Sequence, residues 1–353
     1  MYDIIQASRS NNTEWQDYLN KKGVIHYAYD WRWSEIIKNV FGHTPYFLIL
    51  KENKEIRGAL PLVFIKSILF GKALISIPYM NGGGALADSE EYELALCDHA
   101  VKLAYDLKVK YLELRMRREI DPKILSKHKL SLKSHKVAMI LDLKDDPEEL
   151  FSSFPPKLRS QIRKPTKDGY VAESYKGQDI QDSHIKDFYN VFADTMRNLG
   201  TPVYPIKLFR ETIRSFGDRS RLTLVRSGDT PVAGGITIRT GAHVEIPWAS
   251  ALRKHSKSAP NMLLYWETIR QCTLDGCKTF DFGRSSLDSG TYKFKAQWGA
   301  KPLPLYWYYH TDGSPIPEVN PNNKKFELAI KAWRLIPLPI TKILGSFLTK
   351  SIP

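Results

Sequence analysis

At 353 residues the chain is long for one ordinary domain and comfortable for two. With 42% hydrophobic and 12% aromatic residues it can bury substantial cores, which excludes global disorder, and it contains no apolar run long enough to span a bilayer. The formal net charge of +14 attracts nucleic acid, anionic lipid or phosphorylated substrates, but sequence-specific nucleic-acid readout has little support without a zinc-finger spacing, an RNP-type motif or a P-loop.

The first residues, Met1-Tyr2-Asp3-Ile4-Ile5, lack a basic region followed by a long apolar stretch, so the expected location is the cytoplasm. Tyr46–Leu50 reads as a strand, Glu52–Glu55 as a polar turn, and Ile56–Ile65 as a second strand: a hairpin. Asn81-Gly82-Gly83-Gly84 lacks the Lys-Ser/Thr of a P-loop and reads as a flexible turn bordering an acceptor cleft. Leu94, Cys97, Val101 and Ala104 then fall at helical spacing behind an Asp88-x-x-Glu91 capping box, and Lys110–Arg115 alternates as a strand. Cys97, Cys272 and Cys277 have no metal-ligand spacing and read as structural thiols.

The pattern repeats after a charged, proline-rich stretch. Leu222–Val225, the turn Ser227–Thr230 and Val232–Arg239 form a second hairpin. Met262, Tyr265, Trp266, Ile269 and Cys272 mark an apolar helix face with Pro260 near its start and Gly276 near its end; Lys278–Arg284 follows as a strand. Two copies of hairpin, strand, helix and strand predict an α/β (α+β) protein of two lobes. We place the first lobe at 1–143, a basic, proline-rich connection at 144–169, the second lobe at 170–318 and an amphipathic helical tail at 319–353. An alternative ends the first lobe near Asp121-Pro122, with Val137–Leu143 as a shared strand.

Two stretches carry a family resemblance: Phe280-Asp281-Phe282-Gly283-Arg284-Ser285-Ser286, and Gly290-Thr291-Tyr292-Lys293-Phe294-Lys295 running on through Gln297-Trp298-Gly299-Ala300. Together they resemble the signature of FemAB-like proteins of the GNAT acyltransferase superfamily. Lys157–Lys164, Val232–Gly235 and the tail from Trp333 to Pro339 extend the likeness, the tail resembling FemAB-related proteins associated with exosortase and PEP-CTERM systems. The resemblance implies tandem GNAT-like lobes, each a mixed, mostly antiparallel sheet flanked by helices. It also implies acyl or aminoacyl transfer to an amine of a cell-envelope or exopolysaccharide precursor. No tightly bound cofactor is implied: acyl-CoA or aminoacyl-tRNA would serve as co-substrate, and a phosphorylated or lipid-linked envelope precursor as partner. A non-catalytic tandem-GNAT scaffold in the same pathway is the alternative.

Site residues follow from the same segments. Asp281 is expected to orient or deprotonate the acceptor amine and Arg284 to grip an anionic group, or the two form a pair fixing the next loop. Tyr292 completes the catalytic set as donor to a leaving group. Lys293 and Lys295 offer phosphate contacts or one solvated basic face. Lys157, Arg159, Arg163 and Lys164 form a cationic helical cluster suited to phosphate or carboxylate. Trp248 ends a strand where splaying would expose backbone N–H groups to an acyl carbonyl; His243, Glu245 and His255 rank below Asp281 as bases. The donor loop falls on Arg253–Asn261, from which Arg253, His255, Ser256, Ser258 and Asn261 are the cofactor-binding candidates, although the usual loop glycines are missing. Finally, Phe326, Ile330 and Trp333, then Ile340, Ile343, Leu344, Phe347 and Leu348, make apolar stripes bordered by Lys331, Arg334, Lys342 and Lys350. They suit either packing on the second lobe or peripheral contact with an anionic membrane.

Overall fold

The computed structural model describes residues 1–24, 26–67, 70–311, 313 and 327–352. In chain order it begins β1 (Tyr2–Gln6), α1 (Asn12–Lys21), α2 (Arg32–Phe41), β2 (Thr44–Glu52), β3 (Glu55–Ser67), β4 (Gly71–Ser76), β5 (Leu86–Ala87) and α3 (Glu90–Asp106). There follow β6 (Tyr111–Met116), α4 (Pro122–His128), β7 (Ser131–Asp142), α5 (Pro147–Ser153), α6 (Pro156–Lys167), β8 (Tyr170–Lys176), α7 (Asp182–Leu199) and α8 (Ile206–Phe216). The chain continues through β9 (Ser220–Ser227), β10 (Thr230–Thr240), β11 (His243–Ala251), α9 (Pro260–Leu274), β12 (Thr279–Ser286), α10 (Gly290–Ala296) and β13 (Lys301–Thr311). Two tail helices close it, α11 (Glu327–Leu335) and α12 (Leu338–Leu348). Phe326, expected on the tail's apolar face, lies outside the described residues.

Two compact units divide the chain. The first takes Met1–Val137, Pro304–Glu318 and Lys350–Pro353; the second takes Ala138–Leu303 and Val319–Thr349. In the first, strands run in the order β1-β2-β3-β4-β6-β13, with β5 on β3, and among the described residues of this unit only β4 and β6 pair in parallel. The expected hairpin is β2–β3, and the expected helix is α3, which buries Cys97, Val101 and Ala104 against Leu60, Leu62, Leu112 and Leu114. Its cap differs from expectation. Ser89, not Asp88, receives the Tyr92 amide at 3.3 Å, because Asp88 is held instead by Lys22 at 3.0 Å and by the Tyr18 hydroxyl. Gly82–Gly84 is a packed turn rather than an open cradle: a Cβ at Gly84 would overlap the Met116 sulfur, and one at Gly82 would sit 3.1 Å from the His26 ring.

The second unit repeats the plan in the order β7-β12-β11-β10-β9-β8. The hairpin β9–β10 lies where the sequence pattern puts it, α9 returns the chain, and β12 joins β11 in parallel. A return helix is what parallel neighbours require, since no tight turn can join them. Residues 147–167 fold as α5 and α6 within this unit, and their apolar side chains (Phe151, Phe154, Leu158 and Ile162) are buried, with both phenylalanines against the Trp266 ring of α9. On another side Phe188, Phe192, Phe209 and Trp248 stack edge to face, filling the space beneath α7 and α8. The fold is therefore mixed α/β, with mostly antiparallel sheets flanked by helices in each unit.

Candidate active site

β11 and β12 pair in register only from His243–Thr279 to Glu245–Asp281, although β11 runs on to Ala251 and β12 to Ser286. Local sequence explains the interruption on both strands. On β11, Ile236 of β10 faces Trp248 while Ile238 faces Glu245, so Ile246 and Pro247 bulge against one partner residue, and Pro247 has no N–H to give a ladder. On β12, Gly283 takes φ +75°, a left-handed conformation that glycine adopts without steric cost, and turns the strand. Asp281 holds that turn: its Oδ1 accepts the Gly283 amide at 2.7 Å.

At the last paired position two carboxylates lie side by side and almost wholly buried, Glu245 at 0% exposure and Asp281 at 1%. The cation beside them comes from α10. Lys295 is 7% exposed, and its ammonium donates to the carbonyls of Gly283 and Arg284, each at 2.9 Å. Burial pulls its pKa down to about 8, Asp281 and Glu245 pull it back up, and Arg284 pushes it down. At neutral pH it is mostly an ammonium, and two of its three N–H groups are used on the carbonyls.

Beyond the bulge, a cavity of about 420 Å³ opens between the end of β11, the turn after it and the start of α9. Ala249 and Ala251 leave room on the strand side; Tyr265 and Phe294 form an aromatic wall, ring centroids 5.2 Å apart. Arg253, Ser256 and Asn261 line its polar end, beside the first turn of a 15-residue helix whose dipole favours an anion there. The missing glycine has a consequence: Ala259, which caps the helix, is itself in the left-handed region at φ +52°. Burial lifts the Tyr265 hydroxyl to about 12.

The structure sorts the other expected residues. His255 turns from the cavity to meet the Tyr170 hydroxyl through Nδ1 at 2.8 Å, and burial and Lys254 lower its pKa. Ser258 and Lys164 both bind Asp168, the lysine at 2.7 Å, holding that carboxyl below its usual range. Arg163 lies over the Phe151 ring at 4.9 Å, Lys157 is exposed, and Arg159 is half-buried with an Nε that has no partner among the described residues. Of the cationic helix, Arg163 and Lys164 thus spend their charges on separate partners. The Trp248 ring is a core element, edge-on to Phe209 at 5.2 Å. Arg284 and Lys293 are exposed and Tyr292 is half-buried at the head of α10, where Ser289 caps its amide at 3.2 Å. His243 bonds Thr279 at 2.6 Å. The sequence pattern places Glu245 below Asp281 as a base, puts Tyr265 on an apolar helix face and gives Phe294 no role; a carboxylate inside the apolar run Val244–Trp248 is the available signal.

The first unit repeats the interruption. β4 and β6 pair from Ala73–Tyr111 to Ile75–Glu113 and no further in the described register. There the gap is filled from within: Arg115 bonds Glu113 at 2.7 Å and the carbonyls of Met80 and Ile77 at 2.6 and 3.3 Å, and covers the Trp307 ring.

Residues 152–296 match the acetyltransferase (GNAT) domain family. FemX is similar at 16% identity and a TM-score of 0.66, covering 88% of this chain and 97% of that one. A tandem GNAT protein from the clavulanic acid biosynthesis pathway is similar at 15% identity and a TM-score of 0.59, covering 90% and 100%. L-PGS from Bacillus licheniformis is similar at 12% identity and a TM-score of 0.56, covering 97% of both chains. No curated protein matches the sequence.

Proposed function

We infer that the chain is an acyltransferase working from its second unit, a reading supported by the match of residues 152–296 to the acetyltransferase (GNAT) domain family and by the likeness in fold to FemX and to a tandem GNAT protein. It would move an acyl or aminoacyl group to an amine of a cell-envelope or exopolysaccharide precursor. The observation that carries this reading is the opened β11–β12 pair with a cavity on one side and the buried Lys295 ammonium beside it. Acyl transfer needs a place for the donor and positive charge where the carbonyl oxygen becomes negative.

In this reading the donor lies in the cavity, its anionic portion against Arg253, Ser256 and the start of α9, and its acyl chain against Tyr265 and Phe294. The donor is acyl-CoA or aminoacyl-tRNA. The acceptor nitrogen attacks the acyl carbon and a C–N bond forms. The C–S bond of a thioester, or the C–O bond of an aminoacyl ester, breaks, and the amine's proton ends on the departing sulfur or oxygen. Lys295 steadies the developing oxyanion with its third N–H. Asp281 and Glu245 keep that ammonium charged, and Asp281 also fixes the turn that opens the strands. Exposed Arg284 and Lys293 suit a phosphate on the acceptor, and Tyr292 stands by as donor to the leaving group. An envelope acceptor is supported by the likeness to FemX and to L-PGS.

A non-catalytic scaffold is the second reading, favoured by the glycine-free donor loop in which Ala259 takes a left-handed conformation. Binding and transfer assays with acyl-CoA and with aminoacyl-tRNA separate the two: saturable donor binding with transfer to an amine supports the enzyme, and no binding of either donor supports the scaffold.

A further inference from the structure

The tail helix α12 is built inside out. Its buried positions are Thr341 and Gly345, followed by Thr349 just past its end, a stripe of small residues at i, i+4 and i+8. Gly345 is what lets this face in: a Cβ there would stand 2.7 Å from the Val203 amide nitrogen, so only glycine permits so close an approach. Lys342 reaches Asn190 on α7 at 2.5 Å and lies over the Tyr189 ring. The large apolar residues are left on the outside. Ile343 is 62% exposed and Phe347 66%, with Ile340 and Leu344 beside them; Leu335 at the end of α11 is 85% exposed. A helix covering a core presents its large residues inward; this one presents them to whatever lies outside.

Charge selects the occupant. After Glu327 the sequence has Lys331, Arg334, Lys342 and Lys350 and no acidic residue. Lys331 and Arg334 are exposed, although Lys331 also pairs with Glu327 at 2.8 Å. A second copy of the chain would bring the same positive rim against itself, which opposes association. An anionic bilayer complements both features, with apolar side chains entering the acyl boundary and basic ones meeting the headgroups. Among the described residues no helix is long and apolar enough to cross a membrane, so the contact is one of lying on the surface.

We propose that α12 and the end of α11 form a docking surface for an anionic lipid membrane, with Leu335, Ile340, Ile343, Leu344 and Phe347 as the inserted residues. The proposal stands independently of the acyltransferase reading. The test is co-sedimentation of the full chain with phosphatidylglycerol-containing and with pure phosphatidylcholine vesicles at low and high salt. The comparison proteins are I343S/F347S and K331E/R334E, both substituting exposed residues, with thermal melts to confirm folding. The wild type should partition onto the anionic vesicles. I343S/F347S should weaken that by at least about tenfold, since each buried apolar side chain is worth more than one factor of ten. K331E/R334E should reduce binding to anionic vesicles, and high salt should do the same. Failure of the wild type to sediment would overturn the proposal, as would equal binding to both vesicle types or unchanged binding by I343S/F347S. A concentration-dependent dimer that I343S/F347S dissociates, without vesicle binding, would assign the face to a second copy and overturn it too.

Discussion

Lys295 sets two observables moving in opposite directions with pH. Its ammonium has a pKa of about 8 in the fold against an ordinary value of 10.5. Below pH 8 folded and unfolded chains both hold the proton and the group contributes no slope. Between about 8 and 10.5 the unfolded chain binds more protons than the folded one, so stability rises with pH. At about 1.4 kcal/mol per unit the rise amounts to about 3 kcal/mol across the window. Other groups titrate there as well, so the quantity to measure is the stability difference between wild type and K295M. Urea unfolding of both proteins at steps from neutral to strongly alkaline pH yields it, with tyrosine and other lysine contributions cancelling where sites are independent. Turnover should behave the other way, falling as pH passes about 8, because the neutral amine cannot stabilise an oxyanion as an ammonium does. A stability difference that stays flat through this window, or falls, would refute the assignment of Lys295 as a buried, burial-shifted ammonium.

Other substitutions probe its surroundings. D281N keeps an oxygen for the Gly283 amide but removes a charge that raises the Lys295 pKa, so the alkaline fall in turnover should move to lower pH while folding is largely retained; an unmoved profile would count against the coupling. A259G should stabilise the protein by about 1 kcal/mol in denaturant unfolding, because it relieves an L-residue held at φ +52°. H255F should leave donor affinity nearly unchanged while lowering stability by about 1 kcal/mol, the expected result of losing a hydrogen bond to Tyr170.

Much of the fold was readable because period and punctuation agree. The two hairpins, the helix after Ser89 and the helix after Pro260 each combine a clean apolar spacing with a turn or start signal. Asp281 was less legible: the sequence offers it as a base or as a partner of Arg284, whereas its Oδ1 accepts the amide of Gly283, whose left-handed φ no sequence pattern announces. What could not be read was decided by tertiary packing. Lys293 and Lys295 look alike in sequence, yet one is solvated and the other is buried beneath the strand turn. Arg163 and Lys164 read as one cationic cluster, but Phe151 and Asp168 claim them separately. The tail's apolar stripe resembles a core face, and only the approach of Gly345 to Val203 shows which side is turned inward.

We assign donor binding by the second unit to the cavity beside β11. The most direct test of this assignment is titration calorimetry of the wild type and of A251F, which places a ring in that cavity, with acyl-CoA and with aminoacyl-tRNA. One of the two donors should bind the wild type saturably and lose that binding in A251F, whose unfolding transition should remain cooperative. Donor binding that survives a filled cavity, or no binding of either donor to the wild type, would rule out this donor site.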